Sequence, residues 1–248
     1  MTRLVLFDID ETMIHSSGAG RKALEKALFD EFGEPIKFDG ITLSGKTDPQ
    51  IISEVLQAHG LSADGIRNRS AIAAPHPSHC DKPCDELLDS IFEKYLPYLK
   101  QEVREASEYR LYEGVVDLLH ALERREGTFI GLLTGNIELG ARIKLERFDL
   151  NRYFEFGAFG CDSANRMDLP AFAHKRALEK FGAPIAKHEI VIIGDARNDV
   201  LCAKGYGAKS LAVATGRTSK ETLAELDPDY LFDSLKNTAQ VVDAIFSD

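Results

Sequence analysis

The sequence predicts an α/β protein, built as a doubly wound parallel sheet that carries an inserted α-helical module. Short apolar runs alternate with amphipathic helical segments, which is the pattern of parallel strands joined by crossover helices. Three apolar runs end in residues able to carry chemistry: Leu4–Phe7 before Asp8, Thr128–Leu133 before Thr134, and Glu189–Ile193 before Gly194 and Asp195. We therefore expect an α/β core of residues 1–15 and 108–248, interrupted by a helical insert of residues 16–107.

The inserted module is expected to contribute helices and loops, with no convincing strand. Apolar residues recur at helical spacing in Arg21–Phe29, Gln50–His59 and Asp85–Val103. Glycine and proline residues end the first pattern, and Gly60 ends the second. Residues 62–83 are irregular and contain several prolines.

The rest of the chain alternates helix and strand. The predicted helices are Val115–Arg125, Ala141–Phe148, Pro170–Phe181, Asp199–Lys204 and Thr238–Phe246. The predicted strands are Thr128–Leu133, Tyr153–Phe159, Glu189–Ile193, Ser210–Ala214 and Asp229–Phe232. This alternation predicts a parallel sheet with helices on both of its faces.

Length, charge and apolar pattern restrict the class of protein. The 248 residues are enough for one large domain or for a core with an insert. A formal net charge of -10 argues against sequence-independent binding to nucleic acid. No apolar run is long enough to span a bilayer. The chain opens directly into a strand and its four cysteines form no dense framework, so we expect a cytoplasmic protein with reduced thiols.

The first strand ends in two closely spaced carboxylates, Asp8 and Asp10. Two acids this close repel each other, and a divalent cation with hard oxygen ligands is the simplest way to keep both charged. For this stretch by itself, an ordinary strand end with solvated acids is the alternative. Open α/β sheets bind ligands at the carboxyl ends of their strands, so we expect the three strand ends to meet in one crevice.

Taken together, these motifs resemble those of the haloacid dehalogenase (HAD) superfamily of phosphatases and phosphotransferases. Asp8–Thr12 matches the DxDx(T/V) motif, Thr134–Asn136 matches the second motif, and Gly194–Asp199 matches the GDxxxD motif. The insert resembles the C1 helical cap of that superfamily. Gly45–Asp48 and Tyr112–Val115 look most like phosphoglycolate phosphatase-like members. The resemblance covers nearly the whole chain and implies a Rossmann-like core beneath a cap.

The resemblance implies a role for each carboxylate. Asp8 is expected to attack phosphorus and form an aspartyl-phosphate. Asp10 is expected to protonate the leaving alkoxide and then to deprotonate the hydrolytic water. Asp8, Asp195 and the backbone carbonyl of Asp10 are expected to hold Mg²⁺, with Asp199 in or next to that shell. The cation would let an anionic nucleophile approach an anionic phosphoryl group.

The second motif is expected to bind the phosphoryl group. Thr134 would hydrogen-bond a phosphoryl oxygen, and backbone N–H groups near Gly135 and Asn136 would assist because a helix begins there. Considered alone, this stretch is also compatible with a simple turn and helix cap.

The third motif of the family requires a Lys or Arg that neutralises the nucleophile and the phosphoryl group. The usual Lys-Pro pair is absent from this chain. Arg166 lies just before a predicted helix start and is the first candidate. Lys175 is the alternative, although it falls inside the helix, where a solvated charge is the ordinary outcome.

Other residues, in the insert and after the first strand, are further candidates for a functional role. Thr47 and Asp48 could contact substrate from the cap, or Asp48 could be the N-cap of a helix that begins at Pro49. Glu11 stands where many relatives carry glycine, and we interpret it as a modulator of the site entrance. His and Cys residues with rough zinc-like spacing occur in the insert: His76, His79, Cys80 and Cys84. The sequence around them also suits an ordinary surface loop.

The sequence therefore predicts an enzyme, a Mg²⁺-dependent phosphatase acting on a small phosphorylated metabolite such as phosphoglycolate or a sugar phosphate. Its expected partner is a small-molecule phosphate ester, with no nucleic acid and no membrane. The alternatives are a phosphomutase of the β-phosphoglucomutase type, which uses the same groups, and a non-catalytic protein that binds a phosphorylated ligand.

Overall fold

The computed structural model describes residues 2–61 and 86–247. Its strands are β1 (Arg3–Phe7), β2 (Ile14–His15), β3 (Arg110–Leu111), β4 (Thr128–Leu133), β5 (Gly157–Ala158), β6 (Ile190–Gly194), β7 (Lys209–Val213) and β8 (Tyr230–Phe232). Its α-helices are α1 (Ala19–Phe32), α2 (Asp48–Ala58), α3 (Glu86–Glu105), α4 (Val115–Glu123), α5 (Glu138–Glu146), α6 (Leu169–Phe181), α7 (Arg197–Tyr206), α8 (Lys220–Ala224) and α9 (Thr238–Phe246). Within these described ranges, no helix combines the length and the apolar character needed to cross a membrane.

A parallel sheet of six strands forms the centre of the molecule, in the order β5-β4-β1-β6-β7-β8. The central strand β1 pairs in parallel with β4 on one side and with β6 on the other. The chain therefore builds the sheet outward from β1 in both directions, which places the topological switch point beside β1. Open α/β sheets bind their ligands at such a point. The predicted doubly wound α/β fold is confirmed.

Both faces of the sheet are buried, as the unbroken apolar run of β1 predicts. Val5 and Phe7 belong to the apolar cluster on one face, while Leu4 and Leu6 belong to the cluster on the other. All four side chains are completely buried. The alternation follows from the period of two along a strand, and it anchors the carboxyl end of β1 from both sides.

Helices α1, α2 and α3 lie between β2 and β3, which pair with each other as a short antiparallel ribbon. In this ribbon Ile14 lies opposite Leu111. Helices α1 and α3 pack against each other, and their buried small, aliphatic and aromatic side chains include Ala23, Ala27, Ile91 and Tyr95. This cluster is continuous with the apolar cluster on one face of the sheet, so the helices rest on the region where β1 ends.

One predicted strand is much shorter than expected. The stretch Tyr153–Phe159 is a strand only over Gly157–Ala158, and a 3-10 helix covers Leu150–Tyr153. The carbonyl of Phe154 accepts a hydrogen bond of 2.6 Å from Arg142 Nη1 on α5. This side-chain hydrogen bond gives the carbonyl of Phe154 a partner outside the sheet.

Candidate active site

The carboxyl ends of β1, β4 and β6 meet at one edge of the sheet. Phe7, the last residue of β1, is opposite Leu132 of β4 and Ile193 of β6. The backbone N–H of Asp8 donates to the carbonyl of Ile193 at 2.9 Å. The residues that follow each strand are therefore delivered to the same place, as the strand-end rule predicts.

Three carboxylates converge at this edge. Asp8, Asp195 and Asp199 each present a carboxylate oxygen, and these oxygens lie within 4.8 Å of one another. All three side chains are buried, with relative exposures of 7%, 2% and 2%. Three buried acids at this distance repel one another strongly unless a cation lies among them. Oxygen donors of this kind are the ligands that hard divalent cations prefer.

Asp195 has one oxygen committed and one free. Its Oδ1 accepts a hydrogen bond of 3.1 Å from the hydroxyl of Thr12, whereas its buried Oδ2 has no hydrogen-bond partner. Burial, together with the neighbouring charges of Asp199 and Asp8, raises the pKa of Asp195 well above its ordinary value. A buried acceptor without a donor is costly, and a divalent cation would supply the missing partner. The residues present therefore fit a divalent metal ion.

Arg166 is the positive charge of this cluster. Its side chain is 3% exposed, and its Nη2 donates to Asp8 Oδ1 at 2.8 Å and to Asp199 Oδ1 at 2.5 Å. Burial raises the pKa of Asp8, and the charge of Arg166 opposes that rise. The Nε–H of Arg166 is buried without an acceptor, which leaves one donor available for an anionic group.

The two candidates for the third-motif cation lie in different surroundings. Arg166 begins a 3-10 helix whose N-cap is Asn165, and this turn directs the guanidinium to the end of β1. Lys175 lies on the outer face of α6, where its side chain is 73% exposed and faces Glu179 at 3.7 Å. Arg166 is thus brought together with the carboxylates and Lys175 is not.

Asp10 belongs to a second polar cluster. Its Oδ2 accepts from Lys144 Nζ at 2.7 Å and from Asn136 Nδ2 at 2.8 Å. Burial would raise the pKa of Asp10, but the charge of Lys144 and these hydrogen bonds outweigh it and lower that pKa. Asp8 and Asp10 are therefore held by different cations, although both line the same cavity.

The second motif lies between these two clusters. Thr134 is completely buried, and its hydroxyl oxygen accepts a hydrogen bond of 2.8 Å from Asn136 Nδ2. Since that bond uses a lone pair of the oxygen, the hydroxyl proton remains available to a ligand. A Cβ atom at Gly135 would lie 2.0 Å from the carbonyl oxygen of Lys46. Glycine is therefore required at position 135, because the segment before α2 passes close to the loop after β4 there.

Thr47 and Asp48 are held by residues of the core. Thr47 is the N-cap of α2, accepting from Gln50 N at 3.3 Å, and its hydroxyl donates to the carbonyl of Ala164 at 2.7 Å. Asp48 Oδ2 accepts from the backbone N–H of Ile137 at 2.9 Å. The prediction that Asp48 is the N-cap is wrong, because Thr47 has the extended backbone and the side-chain acceptor that this position requires.

Glu11 adopts a left-handed backbone conformation with a φ of 61°, which explains why glycine suits this position. Its Oε2 accepts hydrogen bonds from the hydroxyl of Tyr112 and lies 3.0 Å from His15 Nδ1. Its backbone carbonyl accepts from the hydroxyl of Thr215. Glu11 thus ties the loop after β1 to the loop after β7.

One cavity of about 170 Å³ connects both polar clusters. Every predicted site residue except Thr47 and Asp199 lines it, together with basic residues from several elements: Arg21, Lys46, Lys144 and Arg217. The cavity can accommodate an anionic ligand in spite of the negative charge of the chain, because positive side chains reverse the local field. His76, His79, Cys80 and Cys84 lie outside the described residues.

The sequence reasoning did not identify Lys144. It lies on the buried face of α5 with Gly140, Ala141 and Leu145, and its side chain is 5% exposed. A lysine on the apolar face of an amphipathic helix is the signal that could have identified it, because lysine is rarely buried without a charged partner.

Comparison with known proteins identifies a matching family and similar sequences. Residues 5–213 match the model of the family described as haloacid dehalogenase-like hydrolase. The chain is 23% identical to a phosphoglycolate phosphatase of Agrobacterium fabrum over 234 residues, covering 94% of this chain and 89% of that protein. It is 28% identical to a phosphoglycolate phosphatase of Shigella sonnei over 243 residues, covering 95% and 90%.

Among solved structures, a hydrolase from Pseudomonas syringae has a similar fold. It superposes with a TM-score of 0.69 at 21% sequence identity, and the match covers 100% of both chains. At this identity the likeness concerns the fold, and it includes the helices between β2 and β3 as well as the central sheet.

Proposed function

The chain belongs to the haloacid dehalogenase-like hydrolase family, and we propose that it is a Mg²⁺-dependent phosphatase that acts through an aspartyl-phosphate. Membership of this family, together with the similarity to phosphoglycolate phosphatases, supports the assignment of the chain as a phosphoric monoester hydrolase. The observation that carries the mechanism is the position of Asp8. Its carboxylate lies at the end of β1, 2.8 Å from Arg166 and within a cluster of acids that fits a divalent cation.

In the first step, a carboxylate oxygen of Asp8 attacks the phosphorus of the ester while the bond from phosphorus to the ester oxygen breaks. Asp10 donates a proton to that oxygen, which leaves as an alcohol. A phosphoryl dianion bound beside Asp10 raises the pKa of its carboxyl group and so favours the protonated form that this step needs. Arg166 and the hydroxyl of Thr134 would stabilise the phosphoryl oxygens.

In the second step, Asp10 acts as a base. It takes a proton from a water molecule whose oxygen attacks the phosphorus of the aspartyl-phosphate, releasing inorganic phosphate and restoring Asp8. Asp8, Asp195 and the carbonyl of Asp10 would hold Mg²⁺, with Asp199 beside them, and the ion would supply positive charge that screens the nucleophile from the phosphoryl group.

The substrate we propose is a phosphate monoester with a short carbon chain, phosphoglycolate or a small sugar phosphate. The cavity of about 170 Å³ supports this size, because sites for drug-sized ligands typically span about 300–1,000 Å³. Residues 16–107 would form a cap over the core that excludes bulk water while the aspartyl-phosphate forms. The contacts of Thr47 and Asp48 with the core would set the position of this cap over the substrate.

Hydrolysis of p-nitrophenyl phosphate, followed by a panel of phosphorylated metabolites, tests the proposal. We expect phosphate release that requires Mg²⁺ and stops with EDTA. Asp8→Asn should abolish turnover while leaving the fold intact, because the amide is nearly isosteric but is not a nucleophile for phosphorus. Turnover by Asp8→Asn at the unaltered rate would contradict the mechanism. Transfer of phosphate between sugars without net release would instead identify a mutase.

A further inference from the structure

A buried lysine lies at the centre of the polar cluster around Asp10. Lys144, in the second turn of α5, is 4% exposed. Its Nζ donates to Asp10 Oδ2 at 2.7 Å and to Asn136 Oδ1 at 2.6 Å. A helix residue of the core is thereby joined to the loop after β1 and to the loop after β4.

The hydrogen bonds among Lys144, Asp10 and Asn136 form a closed ring. Asn136 Nδ2 donates to Asp10 Oδ2 at 2.8 Å and also to Thr134 Oγ1 at 2.8 Å. The Oδ2 atom of Asp10 therefore receives two donors from fixed elements, and its side chain is restricted to one orientation.

Packing alone does not account for a lysine at this position. Removing an ammonium group from water is expensive, and an apolar side chain of similar length would pack as well or better. Helix α1 leaves room for the ammonium group at Gly20, where a Cβ atom would lie 3.3 Å from Lys144 Nζ. The ammonium group of Lys144 therefore has space on the side of α1 and hydrogen-bond acceptors on the side of the core.

We propose that Lys144 is a positioning residue for the reaction, holding the carboxyl group of Asp10 at the oxygen of the leaving group. This inference rests on the proposed function, in which Asp10 transfers a proton to that oxygen as the ester bond breaks. Lys144 itself touches neither phosphorus nor the leaving group. It acts through Asp10, and Asn136 fixes the distance between them.

The proposal predicts that loss of Lys144 affects alkyl and aryl phosphates differently. An alkoxide is a poor leaving group and needs the proton of Asp10 in the transition state, whereas p-nitrophenolate departs without it. Loss of Lys144 should therefore slow hydrolysis of an alkyl phosphate much more than hydrolysis of p-nitrophenyl phosphate. A merely structural role would slow both to the same extent.

The test compares kcat/KM for phosphoglycolate, or for the best alkyl phosphate of the panel, with kcat/KM for p-nitrophenyl phosphate. This constant reports the steps up to loss of the leaving group. For Lys144→Met and Lys144→Gln we expect a fall of about 10- to 100-fold with the alkyl ester and less than about 3-fold with the aryl ester. Lys180→Met, which removes a surface lysine paired with Glu155 at 2.7 Å, is the matched control and should change neither constant.

A second comparison uses Asp10→Asn as the background. Lys144→Met should have no further effect there, since the group that it positions is already gone. The double variant removes both charges of the ion pair together, so it remains measurable even where Lys144→Met alone does not fold. Equal falls for both esters, no fall for either, or a further fall in the Asp10→Asn background would overturn the proposal. Absence of all phosphatase activity in the unaltered protein would instead refute the proposed function.

Discussion

Replacing Gly216 by alanine should disable the metal site without unfolding the protein. A Cβ atom at Gly216 would lie 1.7 Å from Oδ2 of Asp195 and 2.6 Å from its Cγ. That oxygen is the buried acceptor that lacks a protein donor. The backbone φ of Gly216 is outside the positive range, so alanine is permitted there and the conflict is purely steric.

The size of the effect follows from the distances. Real Cβ atoms essentially never approach another atom closer than 3.0 Å, so Asp195 or the loop must move by about 1.3 Å. The loop cannot move freely, because the preceding Thr215 is hydrogen-bonded to the backbone of Glu11 and to Tyr112. The Asp195 carboxylate must therefore be displaced, and a misplacement of about 1 Å in such a site costs on the order of 100-fold in rate.

The assay combines kinetics with thermal unfolding. In the unaltered protein, Mg²⁺ should raise the melting temperature, since a ligand present at 100 times its Kd stabilises the fold by about 2.7 kcal/mol. Gly216→Ala should lose most of this Mg²⁺-dependent stabilisation and about 100-fold in kcat/KM. Its melting temperature without Mg²⁺ should stay close to that of the unaltered protein, because the substitution removes no contact of the apolar core.

Gly205→Ala is the matched control, because a Cβ atom there meets nothing within 4 Å. It should leave the Mg²⁺ response unchanged and, lying inside α7, should stabilise the helix by up to about 1 kcal/mol. A Gly216→Ala protein with an unaltered Mg²⁺ response and unaltered kcat/KM would refute the assignment of Asp195 to the metal site.

Two further predictions concern stability. Glu11 has a φ of 61°, so Glu11→Gly should be more stable than Glu11→Ala by about 1 kcal/mol in urea unfolding; equal midpoints would contradict the strain argument. Burial raises the pKa of Asp48 from 3.8 to about 6, partly opposed by Lys144, so the folded state binds the proton more tightly than the unfolded state. Asp48 therefore destabilises the fold progressively as the pH rises from about 4 to 6, and Asp48→Asn should gain up to about 3 kcal/mol over the unaltered protein across this window; a pH-independent difference would contradict this.

The strand ends were predictable because they depend on local pattern and one topological rule. Apolar runs of four to six residues predicted β1, β4 and β6, and the rule for parallel sheets then predicted that Asp8, Thr134 and Asp195 meet. The contacts between side chains within the site were harder to predict from the sequence. The place of Arg166 before a helix predicts a role for it, but its contact with Asp8 spans 158 residues of sequence, and no periodicity indicates such a pairing.

Buried charges account for most of what the sequence reasoning missed. Arg3 begins β1 and would be expected at the surface, yet it is 1% exposed and donates to the carbonyls of Ile245 and Ser247. The last of these contacts spans 244 residues. A hydrophobic pattern tells which face of an element is buried, but a charge on that face is interpretable only once its partner is known.

For Lys144 the partner could have been inferred from topology. Helix α5 follows β4 directly, and β4 is the neighbour of β1 in the sheet, so the first turns of α5 must lie beside the residues that follow β1. A lysine on the buried face of this short helix therefore lies near the acidic residues that follow β1, and Asp10 is its partner at 2.7 Å. A buried charge on the short helix that follows β4 therefore indicates a partner at the edge of the sheet where β1 ends.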